Sequence, residues 1–173
     1  MNTKTPTPDA ARLGTALRSA EADATAHAPV RRALADCRWE GVELLRYKDD
    51  GSAPFRDVTR QVLFQLPELH CEWRYFEVAP GGHSTLECHE HAHAVMIFRG
   101  RGRCLVGDRV FDVNERDLVT VPPDTWHQFR ADDDAPLGFL CLVNRERDRP
   151  RLPGPEDLAR LRAEPEVADF IRT

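Results

Sequence analysis

The sequence predicts an all-β fold, a small barrel or sandwich, on three observations. Short β-prone runs recur from Val42 to Asn144. Turn-forming clusters such as APGG, VGDR, NERD, PPDT and ADDDAP separate them at even spacing. No strand–helix alternation, GxGxxG or phosphate-binding loop accompanies them, which argues against an α/β nucleotide fold.

Taken in order, residues 1–28 are rich in Ala, Thr, Pro and Asp and hold little that forms a core, so a mobile arm or weak helix is expected. PVRRALADC (29–37) reads as a short helix with Pro29 in its first turn. The strand runs follow: VELLRY (42–47), VTRQVLF (58–64), CEWRYFEVA (71–79), AVMIFRG (94–100), RCLVG (103–107), RVFDV (109–113), DLVTVP (117–122), HQFR (127–130) and LGFLCLVN (137–144). After Pro153, GPEDLARLRAEPEVADFIRT reads as one or two helical turns whose Leu158, Leu161 and Phe170 pack on the barrel or on a partner subunit. The expected organisation is an N-terminal arm (1–38), a barrel (39–145) and a C-terminal helical extension (146–173). No internal repeat appears.

The chain has 173 residues, a net charge of −5 and a pI near 5.8, which disfavours nucleic acid or an anionic membrane as partner. The basic run RERDRPR (145–151) interleaves acids with arginines and reads as a solvated surface segment. Five cysteines (37, 71, 88, 104 and 141) without a CxxC pair fit reduced thiols better than a disulfide framework. With no apolar leader at the N-terminus and no run long enough to span a bilayer, a soluble cytoplasmic protein is expected.

Chemistry concentrates in PGGHSTLECHEHAHAVMIFRG (80–100), which holds four of the seven histidines. In an extended strand, residues of equal parity share a face, so Glu87, His89, His91 and His93 point one way. Imidazole and carboxylate together suit a divalent first-row ion, and parity alone leaves open how many of the four bind it. Elsewhere His83, next to a Gly-Gly turn, reads as a surface residue, and His70 and His27 read as structural or exposed. Arg60, Trp73, Tyr75 and Phe98 are candidate pocket lining on parity.

The segment resembles the first motif of the cupin superfamily. Gly81, Glu87, His89, His93 and Gly100 reproduce its spacing, with the ligand types permuted: Glu87 stands where the first histidine is usual and His93 where the glutamate is usual. Taking His89 and His91 as the paired histidines instead leaves no acid at the next ligand position and breaks the spacing from Gly81. RDLVTVPPDTWHQFRA (116–131) resembles the second motif through Pro122 and His127, and departs from it at Arg116 and Asp124, where glycine is usual, and at Ala131, where asparagine is usual.

The resemblance implies a double-stranded β-helix, a jelly-roll barrel, and a metal site made of Glu87, His89, His93 and His127. It is similar to the manganese-binding four-histidine cupins, with one histidine replaced. His91 and Cys141 then stand beside the ligands rather than among them. The working ion is expected to be Mn(II) or Fe(II), with Zn, Ni or Cu able to occupy the same donors. Three imidazoles and a carboxylate leave about one net positive charge, which favours an anionic or chelating small-molecule substrate.

Family members with such a site include dioxygenases, so an oxygenase acting on a small oxygenated molecule is expected, with Glu87 also available as a base. A non-redox lyase, isomerase or decarboxylase, or a non-catalytic small-ligand binder, are the alternatives. A homodimer is expected, because small cupins commonly pair and an open sheet edge is a liability.

Overall fold

The computed structural model describes residues 29–48 and 53–173. The described residues form two compact units, 29–43 in the first and 44–48 with 53–173 in the second. In the first, Ala33–Leu34 (β1) and Arg38–Trp39 (β2) pair antiparallel, Ala33 opposite Trp39. The helix expected over 29–37 does not form. A single helix of that length is marginal in water, and Asp36 and Cys37 adopt positive φ (55° and 50°), which reverses the chain. The arm expected over residues 1–28 lies outside the described residues.

The second unit is a closed antiparallel β-barrel. Its strands are Leu45–Arg46 (β3), Arg56–Phe64 (β4), Cys71–His83 (β5), His93–Val106 (β6), Arg109–Asn114 (β7), Leu118–Val121 (β8), His127–Ala131 (β9) and Leu137–Asn144 (β10). They follow the expected runs closely, because period-2 alternation of apolar and polar residues is clean in a sheet with one wet face. The sheet runs β10-β6-β9-β5-β4-β3, with β7 and β8 on β6, and a further β10–β5 pairing closes it.

Two features place the site. β6 changes partners midway: His93–Met96 pair with β8, while Gly102–Val106 pair with β9. The corner is Gly100, at φ +71°, where a Cβ would lie 1.9 Å from the Pro136 carbonyl oxygen, so only glycine fits. β10 lies between β5 and β6, with Cys141 opposite both Arg74 and Val95. Inside, Phe139 stacks on Phe129 and Phe76 at 4.5 and 5.3 Å, within a core that includes Val78, Ile97 and Leu137.

The C-terminal turns expected from the sequence are helices Pro155–Leu161 (α1) and Pro165–Phe170 (α2). Proline opens each helix, where no N–H is needed, and the Gly154 N–H donates to Asp157 at the start of α1. Leu161, Val167, Phe170 and Ile171 form a second core with Leu86, Cys88, Leu105 and Trp126 of the barrel. Gln128, fully buried, locks the terminus: its amide accepts from Arg172 N (2.9 Å) and donates to Arg172 O (2.9 Å) and Ser84 O (2.8 Å). No helix among the described residues is long and apolar enough to cross a membrane.

Phe170 is 0% exposed and anchors this second core. Phe170→Ala is expected to lower unfolding free energy by about 3–5 kcal/mol in urea titration. A loss below about 1 kcal/mol would show that the helices add little to the barrel.

Candidate metal centre

Residues 84–92 leave the regular ladder, with a bend at Glu90–His91, and a few backbone contacts hold them in place. Ser84 N donates to Phe129 O, and Phe129 N donates to Ser84 Oγ. Glu87 and His127 exchange both backbone hydrogen bonds, at 3.2 and 3.0 Å. Asp124 N donates to His89 O at 2.8 Å. Glu87, His89, His91 and His93 are buried while Glu90 and Ala92 are exposed, and Cys88, of the other parity, is buried in the second core instead. Arg116 and Asp124, which stand where the motif has glycine, take φ of 76° and 55°, so the second motif keeps its turns without glycine.

The structure brings His89, His93 and His127 together, with one nitrogen from each lying within 4.8 Å of the others. In each ring Nδ1 is already engaged: His89 with His91 O (3.0 Å), His127 with Thr125 O (2.9 Å), and His93 with Cys141 Sγ (3.3 Å). A carbonyl contact fixes the proton on Nδ1 and leaves Nε2 as a lone pair. Nε2 of His89 and of His93 are buried without any hydrogen-bond partner. An unsatisfied buried polar atom costs about 1–3 kcal/mol, and an ion at the convergence of these lone pairs would offset that cost.

Protonation agrees with this role. Burial, then His127 and His91, lowers the His89 pKa to about 4. Burial is also the main cause of the lowered values of His93 and His127. All three rings are therefore neutral near pH 7, the form a metal requires. The donor set fits a divalent ion.

Glu87 lies at the edge of this group. Its Oε1 accepts from the Tyr47 hydroxyl at 3.2 Å, and its Oε2 pairs with the Lys48 ammonium. Burial, then the Glu87 charge, raises the Tyr47 pKa well above its usual value. His91 stacks on His89 at 3.9 Å with an interplanar angle of 7°, and its Nδ1 meets Asp148 Oδ1 at 2.6 Å. Cys141 contacts the Nδ1 side of His93 and sits 3.7 Å from Arg74 Nη2.

These groups line a cavity of about 210 Å³. Arg60 lines it as expected, whereas Trp73 and Phe98 face outward and Tyr75 is buried with its hydroxyl on Glu77. His83 is half-buried with Nδ1 on Ser84 O, His70 is exposed, and His27 lies outside the described residues. Among the polar contributors that escaped sequence reading are Tyr47, Lys48, Arg74, Arg147 and Asp148. The run 145–151 is exposed, as expected, apart from the partly buried Asp148, yet it is not idle. That segment follows β10 across the cavity, where Arg147 meets Glu72 and Asp148 accepts from His91 and from Glu90 N.

Comparison with known proteins adds to this geometry. The family model for the cupin domain matches residues 74–143. A Rhodospirillum rubrum protein named 1-methylthio-D-xylulose 5-phosphate methylsulfurylase is 60% identical over 143 residues, covering 83% of this chain and 92% of that protein. Among solved structures, a cupin 2 conserved barrel domain protein from Rhodopseudomonas palustris superposes with a TM-score of 0.79 at 59% identity, covering 83% of this chain and 99% of that one. A cupin-2 domain structure from Rhodospirillum rubrum gives 0.74 at 60% identity, covering 82% and 95%.

Single substitutions separate the three imidazoles from their neighbour. His89→Ala, His93→Ala and His127→Ala are each expected to lose bound metal during purification, measured by elemental analysis. His91→Ala is expected to keep it, with affinity weakened about 10–100-fold at most. Metal lost from His91→Ala but kept by His93→Ala would mean that a different set of nitrogens binds.

Proposed function

The chain belongs to the cupin family, and from that membership we propose that it is a metal-dependent enzyme removing the methylsulfanyl group from a phosphorylated methylthio-ketose. The observation that carries the reading is the trio of buried imidazoles with converging lone pairs, in a chain 60% identical to a protein named for that substrate class. His89, His93 and His127 would hold the ion, with Glu87 as the fourth ligand, in keeping with the Gly81–Gly100 frame. Mn(II) or Fe(II) is the proposed working ion, although Zn, Ni and Cu would bind the same donors more tightly.

When bound, the ion supplies Lewis acidity to a substrate oxygen. In a 1-methylthio-2-ketose the sulfur is attached to the carbon next to the carbonyl. A thiolate co-substrate attacking that sulfur takes the methylsulfanyl group as a mixed disulfide. The electron pair of the broken C1–S bond passes into the enolate, and C1 then takes up a proton. Tyr47, kept protonated by burial and by Glu87, is a proton-bearing group on the cavity wall. Phe76, Phe129 and Phe139 form the dry side of the cavity, which shields an enolate from water.

An oxygenase would use the same ligands, so oxygen dependence separates the two readings. The metal-loaded protein is expected to convert 1-methylthio-D-xylulose 5-phosphate, given a thiol, to a phosphate product lacking the methylsulfanyl group. Mass spectrometry should show equal rates in air and under argon. Oxygen consumption tied to turnover would restore the oxygenase, and no conversion with any of these ions would remove the proposal.

The reading includes a homodimer. On the outer face, Trp73 lies opposite Leu142 across the β5–β10 pair, and Met96 lies opposite Leu118 across β6–β8, all four well exposed. Phe64 stacks on Trp73 at 5.6 Å. A contiguous apolar sheet face of this kind marks an association surface, and a symmetric copy is the simplest partner. Sedimentation is expected to give a dimer that Leu142→Glu converts to monomer, whereas a concentration-independent wild-type monomer would exclude it.

A further inference from the structure

Away from the imidazoles, the cavity wall is cationic. β4 and β5 pair with Arg60 opposite Phe76 and Val62 opposite Arg74, so Arg60 and Arg74 occupy diagonal positions on the inner face. Such positions lie about 7 Å apart, within joint reach of one small anion. Arg147 comes from the segment after β10, and its Nη2 donates to Glu72 Oε1 at 3.1 Å. The same oxygen lies 3.5 Å from Arg74 Nε. The Arg60 side chain forms no hydrogen bond or ion pair among the described residues, and its Nε is buried without a partner.

Charge decides what this arrangement is for. Three guanidinium groups line the cavity, and Glu72 pairs with two of them, Arg74 and Arg147, leaving Arg60 unanswered. Partly buried cations without counter-charge destabilise a fold, so the excess is expected to serve a ligand. A phosphate monoester near pH 7 carries close to two negative charges and three acceptor oxygens. The planar guanidinium fork matches that geometry. Position agrees as well: Arg74 Nη2 reaches Cys141 Sγ, which contacts His93, so Arg74 joins the arginines to the imidazoles within one cavity.

We propose that Arg60, with Arg74 and Arg147, forms the subsite that holds the substrate's phosphate group, Arg60 being the residue reserved for it. This rests on the reading of the substrate as a ketose phosphate and adds which end of the cavity takes which end of the molecule. The ketose head faces His89, His93 and His127, and the phosphate faces Arg60. The subsite would distinguish phosphorylated from free ketoses, because an uncharged terminal hydroxyl leaves the guanidinium groups unanswered.

Calorimetric titration of the metal-loaded protein with D-xylulose 5-phosphate and with D-xylulose tests the assignment. Arg60→Gln is expected to weaken binding of the phosphate about 10–100-fold, with metal content and D-xylulose binding unchanged. Arg60→Lys, which keeps the charge without the fork, is expected to recover part of the loss. Equal affinity of wild type and Arg60→Gln for the phosphate would overturn the subsite, as would a wild type that does not bind it. If Arg60→Gln fails to fold, Arg147→Gln at the cavity rim carries the same comparison. Turnover of the methylthio substrate without Arg60 dependence would sink the subsite alone. Arg60-dependent phosphate binding without that turnover would sink the proposed reaction alone.

Discussion

The paired backbone hydrogen bonds between Glu87 and His127 are the constraint on which the rest of the site depends. They join two segments some forty residues apart that no continuous ladder connects. Once joined, each imidazole is aimed by a contact on its far nitrogen, and the near nitrogens converge. The clamp extends outward. Cys88, next to Glu87, pairs with Arg151, whose guanidinium covers Trp126 at 4.5 Å and meets Asp157 of α1. The C-terminal helices are thus coupled to the histidine segment by covalent neighbours and packing rather than by contact with the ligands.

Much of this was legible in the sequence, for reasons that differ by element. The barrel strands were readable because alternation survives wherever one face is buried and the other wet, as along Cys71–His83. The frame glycines were readable because Gly100 occupies a corner that excludes any side chain. The parity argument for Glu87, His89, His91 and His93 reached the right grouping of buried residues from an inexact premise. The segment is unladdered and bends at Glu90–His91, and Cys88, of the other parity, is buried as well, in the core beneath the C-terminal helices.

Other parts were not legible. Arg116 and Asp124 take the positive φ that glycine favours, and a residue type does not announce that its surroundings will impose strain. The helix read over 29–37 had local propensity but no apolar face wide enough to hold it. Tyr47, Lys48, Arg147 and Asp148 come from outside both motifs, and none lies on a strand whose alternation could have pointed it at the cavity. Asp148 looked like one charge among many in a mixed run. Its role rests on contacts with His91 and the Glu90 N–H, which no periodicity encodes.

The placement of Glu87 joins these threads. A carboxylate buried beside three neutral imidazoles needs a counter-charge, and the Lys48 ammonium provides it. Lys48 and a divalent ion would therefore compete for the same oxygens. With both present, their mutual repulsion in a low-dielectric cavity would press Lys48 away from the ion or toward an incoming anion. The dianionic substrate proposed here meets that need. It would bring negative charge to a cavity whose cations, Lys48 and the arginines, outnumber the carboxylates that line it. Metal and phosphate recognition would then reinforce each other through charge balance, without either touching the other.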